Sequence, residues 1–82
     1  MKKTVFIIWK TDKNQRKASR EFVAVCSSFR VAVSNVLAEL QNAGFITIQD
    51  LGKLRIFLNE QKQTQGFDVN YIIEEIELNK IY

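Results

Sequence analysis

The chain has no histidine and no proline, a single cysteine at position 26, and three glycines that stand apart at 44, 52 and 66. The missing histidine removes the commonest general base and the commonest zinc ligand together. One cysteine permits neither a disulfide within a monomer nor a thiolate metal cluster, and such a count suits a reducing compartment. Cys26 has no base to activate it and reads as a small buried apolar side chain. Isolated glycines cannot build a phosphate-cradling loop. Glu74 and Glu75 are neighbours on an extended segment, so they face opposite ways and cannot act as an acid–base pair. The apolar run Thr4–Trp9 follows Lys2 and Lys3, is six residues long and leads into Lys10 with no small-residue cleavage site. It is far short of the roughly 18 residues that cross a bilayer, and it lacks the layout of a signal peptide. The expectation is a cytoplasmic protein that is not an enzyme, with no cofactor, membrane association or small-molecule substrate.

What is present is an ordinary globular composition, 46% apolar and 26% charged over 82 residues, with aromatic and β-branched residues along most of the length. That distribution argues against disorder and for one domain. A chain this short buries only about two-thirds of the surface its unfolded state exposes. Residual apolar surface is therefore expected to meet a partner or a second copy.

Val5-Phe6-Ile7-Ile8-Trp9 predicts a strand over 3–10 that is apolar on both faces, hence central in its sheet and covered on both sides. Polar residues 11–18 read as a long hairpin loop, and 21–26 as a second strand. Phe29, Val33, Val36, Leu37 and Leu40 then recur at helical spacing, with Ser27 or Ser28 as N-cap. Gly44 and Phe45 supply a Schellman ending, which sets a helix at about 28–43. Thr47 and Asp50 open a second helix, stapled by Ile46 and Leu51. Its buried stripe is Ile48, Leu51, Leu54 and Leu58 with Phe57, and Gly66 is its stop. Residues 67–82 read as a third strand, bulged near Glu74 and Glu75 so that Ile73 and Ile76 share a face. The fold class is α+β, in the order β-β-α-α-β, a three-stranded, mainly antiparallel sheet packed against a helical pair.

Two surfaces are candidates for function. If Val5, Ile7 and Trp9 pack under the helices, Phe6 and Ile8 emerge on the opposite sheet face, joined by Val23, Val25, Tyr71 and Ile73. An uncovered apolar face of that kind is an interaction surface for a homodimer or another protein partner. The competing expectation is that the tail, Asn79 to Tyr82, or the long loop folds over it. The second surface is basic. Residues 1–20 carry seven Lys or Arg against one acid, and Lys10, Lys13, Arg16, Lys17 and Arg20 could neutralise the phosphates of a nucleic acid. The loop lacks the aromatic residues on which single-strand binders stack bases. Its plainer reading is a solvated turn whose cations pair with Glu74, Glu75 and Glu77 on a neighbouring strand.

Two resemblances complete the reading. Leu40 to Leu51, with Ala43-Gly44-Phe45 and Thr47, resembles the turn of helix-hairpin-helix modules, whose backbone amides hold a phosphate. A second glycine of that family has no counterpart within this hairpin. A helix-turn-helix reading would rest on Gln49, Lys53 and Arg55 alone. The segments Ser19–Val25, Gln63–Gly66 and Ile73–Asn79 together resemble a group of small uncharacterised bacterial proteins. These carry an early Ser-Arg-x-hydrophobic strand, a Gln-Thr-Gln turn and a closing Ile-Glu-Glu-x-Glu-Leu-Asn strand. The resemblance brings no activity with it, and it implies a role for Arg20 and the Gln63–Gln65 turn.

Overall fold

The β-branched and aromatic run near the N-terminus forms strand β1, Thr4–Thr11, in the computed structural model, which describes residues 3–78. Strand β2, Glu21–Cys26, and strand β3, Asn70–Glu77, flank it in the order β2-β1-β3, and both pairings are antiparallel. The α+β class and the order β-β-α-α-β are thus as the sequence predicts. β1 is hydrogen-bonded along both edges, in keeping with the unbroken apolar run Val5–Trp9, but the cover expected on both of its faces is not met, because one of its two apolar rows stays on the side away from the helices.

Helix α1, Phe29–Asn42, begins at Ser28, whose Oγ accepts the Val31 amide at 3.2 Å. It ends as the glycine at 44 dictates. Gly44 takes φ 81°, its N–H donates to the Gln41 carbonyl at 3.1 Å, and the Phe45 N–H donates to the Leu40 carbonyl at 3.0 Å. Those two bonds are the Schellman pair, and they satisfy carbonyls that the helix leaves open. The next turn is 3-10 over Ile48–Asp50, where Asp50 Oδ2 accepts from the Thr47 N–H at 2.9 Å and from its hydroxyl at 3.2 Å.

Helix α2, Leu51–Gln61, is shorter than the sequence suggests. Lys62, at φ 59°, ends it four residues before Gly66, which instead turns the following loop at φ 85°. The early stop has a reason in the sheet. Released from the helix, residues 62–64 run beside β3, with the Thr64 N–H on the Tyr71 carbonyl and the Ile73 N–H on the Lys62 carbonyl. They thereby shield part of the β3 edge, and β2 remains the open edge.

The bulge is also elsewhere than expected. β3 pairs with β1 without interruption from Thr4 with Glu77 to Thr11 with Asn70, whereas β2 breaks register between Ile8 and Trp9. Ile8 faces Ala24 and Trp9 faces Phe22, so Val23 is the extra residue.

Helix α1 lies against all three strands and α2 packs on α1. The core between them holds Ile8, Cys26, Ala32, Val33, Val36, Leu37, Leu40, Ile46, Leu58, Tyr71 and Ile73. Ile48, expected in that stripe, is 74% exposed. Burial, and secondarily the Glu39 charge, push the Tyr71 phenol above its ordinary pKa. Cys26 is a free buried thiol that accepts from Asn35 Nδ2 at 3.3 Å, in keeping with a structural role.

The loops at the far end of β1 are tied together by one buried amide. Asn70, fully buried, accepts the Thr64 hydroxyl at 3.0 Å and donates to the Phe67 carbonyl at 2.9 Å. Thr64 Oγ1 in turn accepts the Tyr71 amide at 2.9 Å, and Gln15 Nε2 reaches the Thr64 carbonyl. Each buried polar group in this cluster therefore has a partner, as burial requires.

Candidate interaction surface

The structure inverts the expected facing of the sheet. Ile8, Tyr71 and Ile73 are buried under the helices, and Phe6 and Val23 pack against the same core. Of the six residues predicted to form the outward face, only Val25 lies outside. The other parity is exposed. Val5, Ile7 and Trp9 of β1 share the outer face with Phe22 and Val25 of β2 and with Ile72, Glu74 and Ile76 of β3. An apolar open face exists, as the composition of β1 demands, but it is built from the alternate residues.

Two physical features select this parity. The Trp9 indole N–H needs an acceptor when covered. On the outer face it finds Glu74, with Nε1 donating to Oε1 at 2.8 Å, whereas the core offers apolar side chains. The inner side of β2 also presents small residues, Ala24 and Cys26, which let α1 approach. Phe6 meets Phe29 edge to face at 5.7 Å between ring centroids, which locks the start of α1 to that side.

The outer face is organised. Trp9 and Phe22 stack edge to face at 6.2 Å and 83°, a geometry that the displaced register at Val23 makes reachable. Phe22 is 60% and Val25 55% exposed, while Val5, Ile7, Trp9, Ile72 and Ile76 are half-buried by their neighbours. Among the described residues no helix covers this side. The tail expected to do so, Asn79 to Tyr82, lies outside the described residues.

The basic candidates separate into different roles. Asp12 organises the loop by accepting the Asn14 and Arg16 amides and the Arg16 Nε, the last at 2.7 Å. The Arg16 side-chain hydrogen bond holds the Asp12 carboxyl below its ordinary 3.8. Lys10 faces Glu21 across the β1–β2 ladder, and Lys13 and Lys17 stand exposed. Arg20 borders an open groove of about 400 Å³ with Lys10, Ser19 and Val69, yet its Nε is sealed from solvent with no hydrogen-bond partner. The register sets the acidic strand apart from the loop, and Glu74 instead accepts from the Trp9 indole. Glu74, Glu75 and Glu77 sit opposite Ile7, Phe6 and Thr4, at the other end of β1 from the loop.

A different cationic site escaped the sequence reading. Arg30 of α1 and Arg55 of α2 line one groove of about 430 Å³ with Phe29, Val33, Ser34 and Asn59. The two arginines are 25 residues apart in a chain whose visible basic cluster is elsewhere, and only the docking of α2 on α1 unites them.

Among the described residues, no helix is long and apolar enough to cross a membrane, and no three of His, Cys, Asp or Glu are placed to hold a metal ion. No family model matches the chain, and no curated protein or solved structure shows significant similarity to it.

Proposed function

We propose that this chain is a small non-enzymatic accessory domain that works by protein–protein contact, and that two copies pack outer sheet face to outer sheet face. The supporting observation is the open apolar layer of Val5, Ile7, Trp9, Phe22, Val25, Ile72 and Ile76, which has Phe22 and Val25 more than half exposed. A soluble monomer rarely leaves so continuous an apolar patch unmatched.

Area argues for a second copy. β1 is eight residues long. At roughly 3.4 Å per residue, and with three strands about 4.8 Å apart, the face measures on the order of 27 by 14 Å. Two such faces bury about 1,000 Å² once side-chain relief is included, the low end for a specific interface. The charge of the face points the same way. Its acid, Glu74, is already engaged by Trp9 within the copy, so an identical apolar face is a better match than a charged partner. Sheets stacked about 10 Å apart in this manner form an isologous pair.

Sedimentation equilibrium across micromolar concentrations is expected to show a monomer–dimer equilibrium, and Val25→Lys is expected to abolish it while the circular dichroism spectrum is retained. A clean monomer at high micromolar concentration overturns the reading.

A second reading has one observation in its favour. Lys13 and Lys17 face solvent, and the acids of β3 lie at the other end of β1, as a phosphate-binding loop would require. Nucleic-acid binding through Lys10, Lys13, Arg16, Lys17 and Arg20 would collapse between low and physiological salt. Apolar docking would hardly change over that range.

A further inference from the structure

The groove between α1 and α2 carries positive charge from two helices and no acid in its lining. Arg30 and Arg55 border it, with Ser34 and Asn59 as neutral hydrogen-bonding groups and Phe29 and Val33 as its apolar wall. Lys62 adds a third cation at its margin, its Nζ 5.8 Å from the centre of the Phe29 ring. The positive end of the α1 dipole lies beside Phe29 and Arg30 as well.

Neighbouring acids are turned away. Arg55 and Asn59 are four residues apart and share the groove side of α2, which places Glu60 roughly 140° round the helix from Arg55. Glu39 of α1 lines a separate hollow with Val23 and Asn42. Among the described residues, no hydrogen bond or ion pair engages the side chain of Arg30 or Arg55. Arg30 and Arg55 both line this hollow, where like charges repel unless an anion joins them, and the fork-shaped donors of a guanidinium match the oxygens of a phosphate or carboxylate.

We propose that this groove binds the dianionic phosphate of a small phosphomonoester, with Arg30 and Arg55 as the two arms of the clamp and Lys62 as the nearby third charge. Charge count favours phosphate over carboxylate, since a phosphomonoester carries about two negative charges at neutral pH against one for a carboxylate. The groove also has the volume of a small-ligand pocket, at the lower end of a range of roughly 300–1,000 Å³. Its position favours a small molecule over a nucleic-acid strand. Cys26, which leads into α1, pairs with Phe6, whereas the basic loop begins after Thr11, so Arg30 and the loop cations lie toward opposite ends of the sheet. The helical groove and the outer sheet face are on opposite sides of the sheet, so this site is independent of dimerisation.

The test is a nitrogen-15 NMR titration at low salt with three probes: inorganic phosphate, glycerol 3-phosphate and a thymidine oligonucleotide. Binding of the two small phosphates is expected to shift the Phe29–Ser34 and Arg55–Asn59 amides and the Nε resonances of both arginines. Arg30→Gln and Arg55→Gln are each expected to weaken it roughly tenfold or more. Both side chains are exposed, so the variants should keep the wild-type circular dichroism spectrum. Lys13→Gln with Lys17→Gln should leave small-phosphate binding unchanged. Affinity should rise with pH through about 6, as the monoester takes its second charge. Absence of shifts in the groove at millimolar phosphate overturns the proposal, and so does undiminished binding by the Arg30→Gln, Arg55→Gln double variant. Tight oligonucleotide binding that depends on Lys13 and Lys17, with no response at Arg30 or Arg55, also overturns it and assigns phosphate recognition to the loop.

Discussion

Consecutive isoleucines on β1 offer a direct test of which sheet face is inside. Ile7 and Ile8 have the same chemistry and the same strand, yet Ile8 is wholly buried beneath α1 and Ile7 lies half-buried on the outer face. Replacing Ile8 by alanine removes three carbons from a closed core. At about 0.8 kcal/mol per carbon the transfer loss is roughly 2.4 kcal/mol. The residual cavity raises the total to about 3–4 kcal/mol, within the usual range for such changes. A chain of this length has a total stability of about 4–12 kcal/mol, so Ile8→Ala can approach unfolding. Ile8→Val is the better instrument, with an expected loss of about 1 kcal/mol. Ile7→Val, on the wet side, should cost less than about 0.5 kcal/mol in the monomer. In urea, with a slope near 1 kcal/mol per molar for a protein of this size, the Ile8 variant should move its midpoint down by about 1 M and the Ile7 variant by half of that or less. The measurements belong at concentrations below dimer formation, where the outer face is exposed in both states. Equal losses, or a larger loss at Ile7, would refute the assignment of faces and the interaction surface built on it.

Two further expectations concern the loops. Asn70→Ala should cost about 2–3 kcal/mol, because it strands the buried Thr64 hydroxyl and the Phe67 carbonyl; a thermal melt should fall by roughly 10–20 °C, and a loss below about 1 kcal/mol would show that the amide clasp is not structural. Asp12 titrates below its ordinary 3.8 in the folded chain, so its contribution to loop order is complete above that value and is lost as pH falls through the lower folded value; NMR titration of its carboxyl should show the midpoint rise towards 3.8 in Arg16→Gln, and an unchanged midpoint would contradict the pairing.

Local signals were legible wherever the responsible groups are close in sequence. Ser28, Gly44 with Phe45, and Thr47 with Asp50 act over five residues or fewer, and each forms the cap its chemistry predicts. Glu21–Cys26 is a strand with the predicted bounds. Where local chemistry was ambiguous, longer-range pairing decided. Gly66 looked like the natural stop for α2, but Lys62 stops it because residues 62–64 gain hydrogen bonds along β3. The bulge anticipated at Glu74 and Glu75 falls at Val23 instead, where it allows Phe22 to reach Trp9.

The candidate sites divide along the same line. That some apolar sheet surface must remain open follows from β1 by itself, since a three-stranded layer with both helices behind it has no second cover for two apolar rows. Which row remains open does not follow, because valine, isoleucine and phenylalanine fit either side equally well. The choice depends on Glu74 lying 65 residues from the indole it serves, and on the small Ala24 and Cys26 facing α1. Arg30 and Arg55 likewise become one site only when the helices dock. The sequence by itself determined the caps, the element order and the presence of an exposed apolar layer, all products of short-range chemistry and composition. The side-chain parity of the sheet and the meeting of distant charges were decided only in the tertiary structure, because each depends on which surfaces come together across the whole chain.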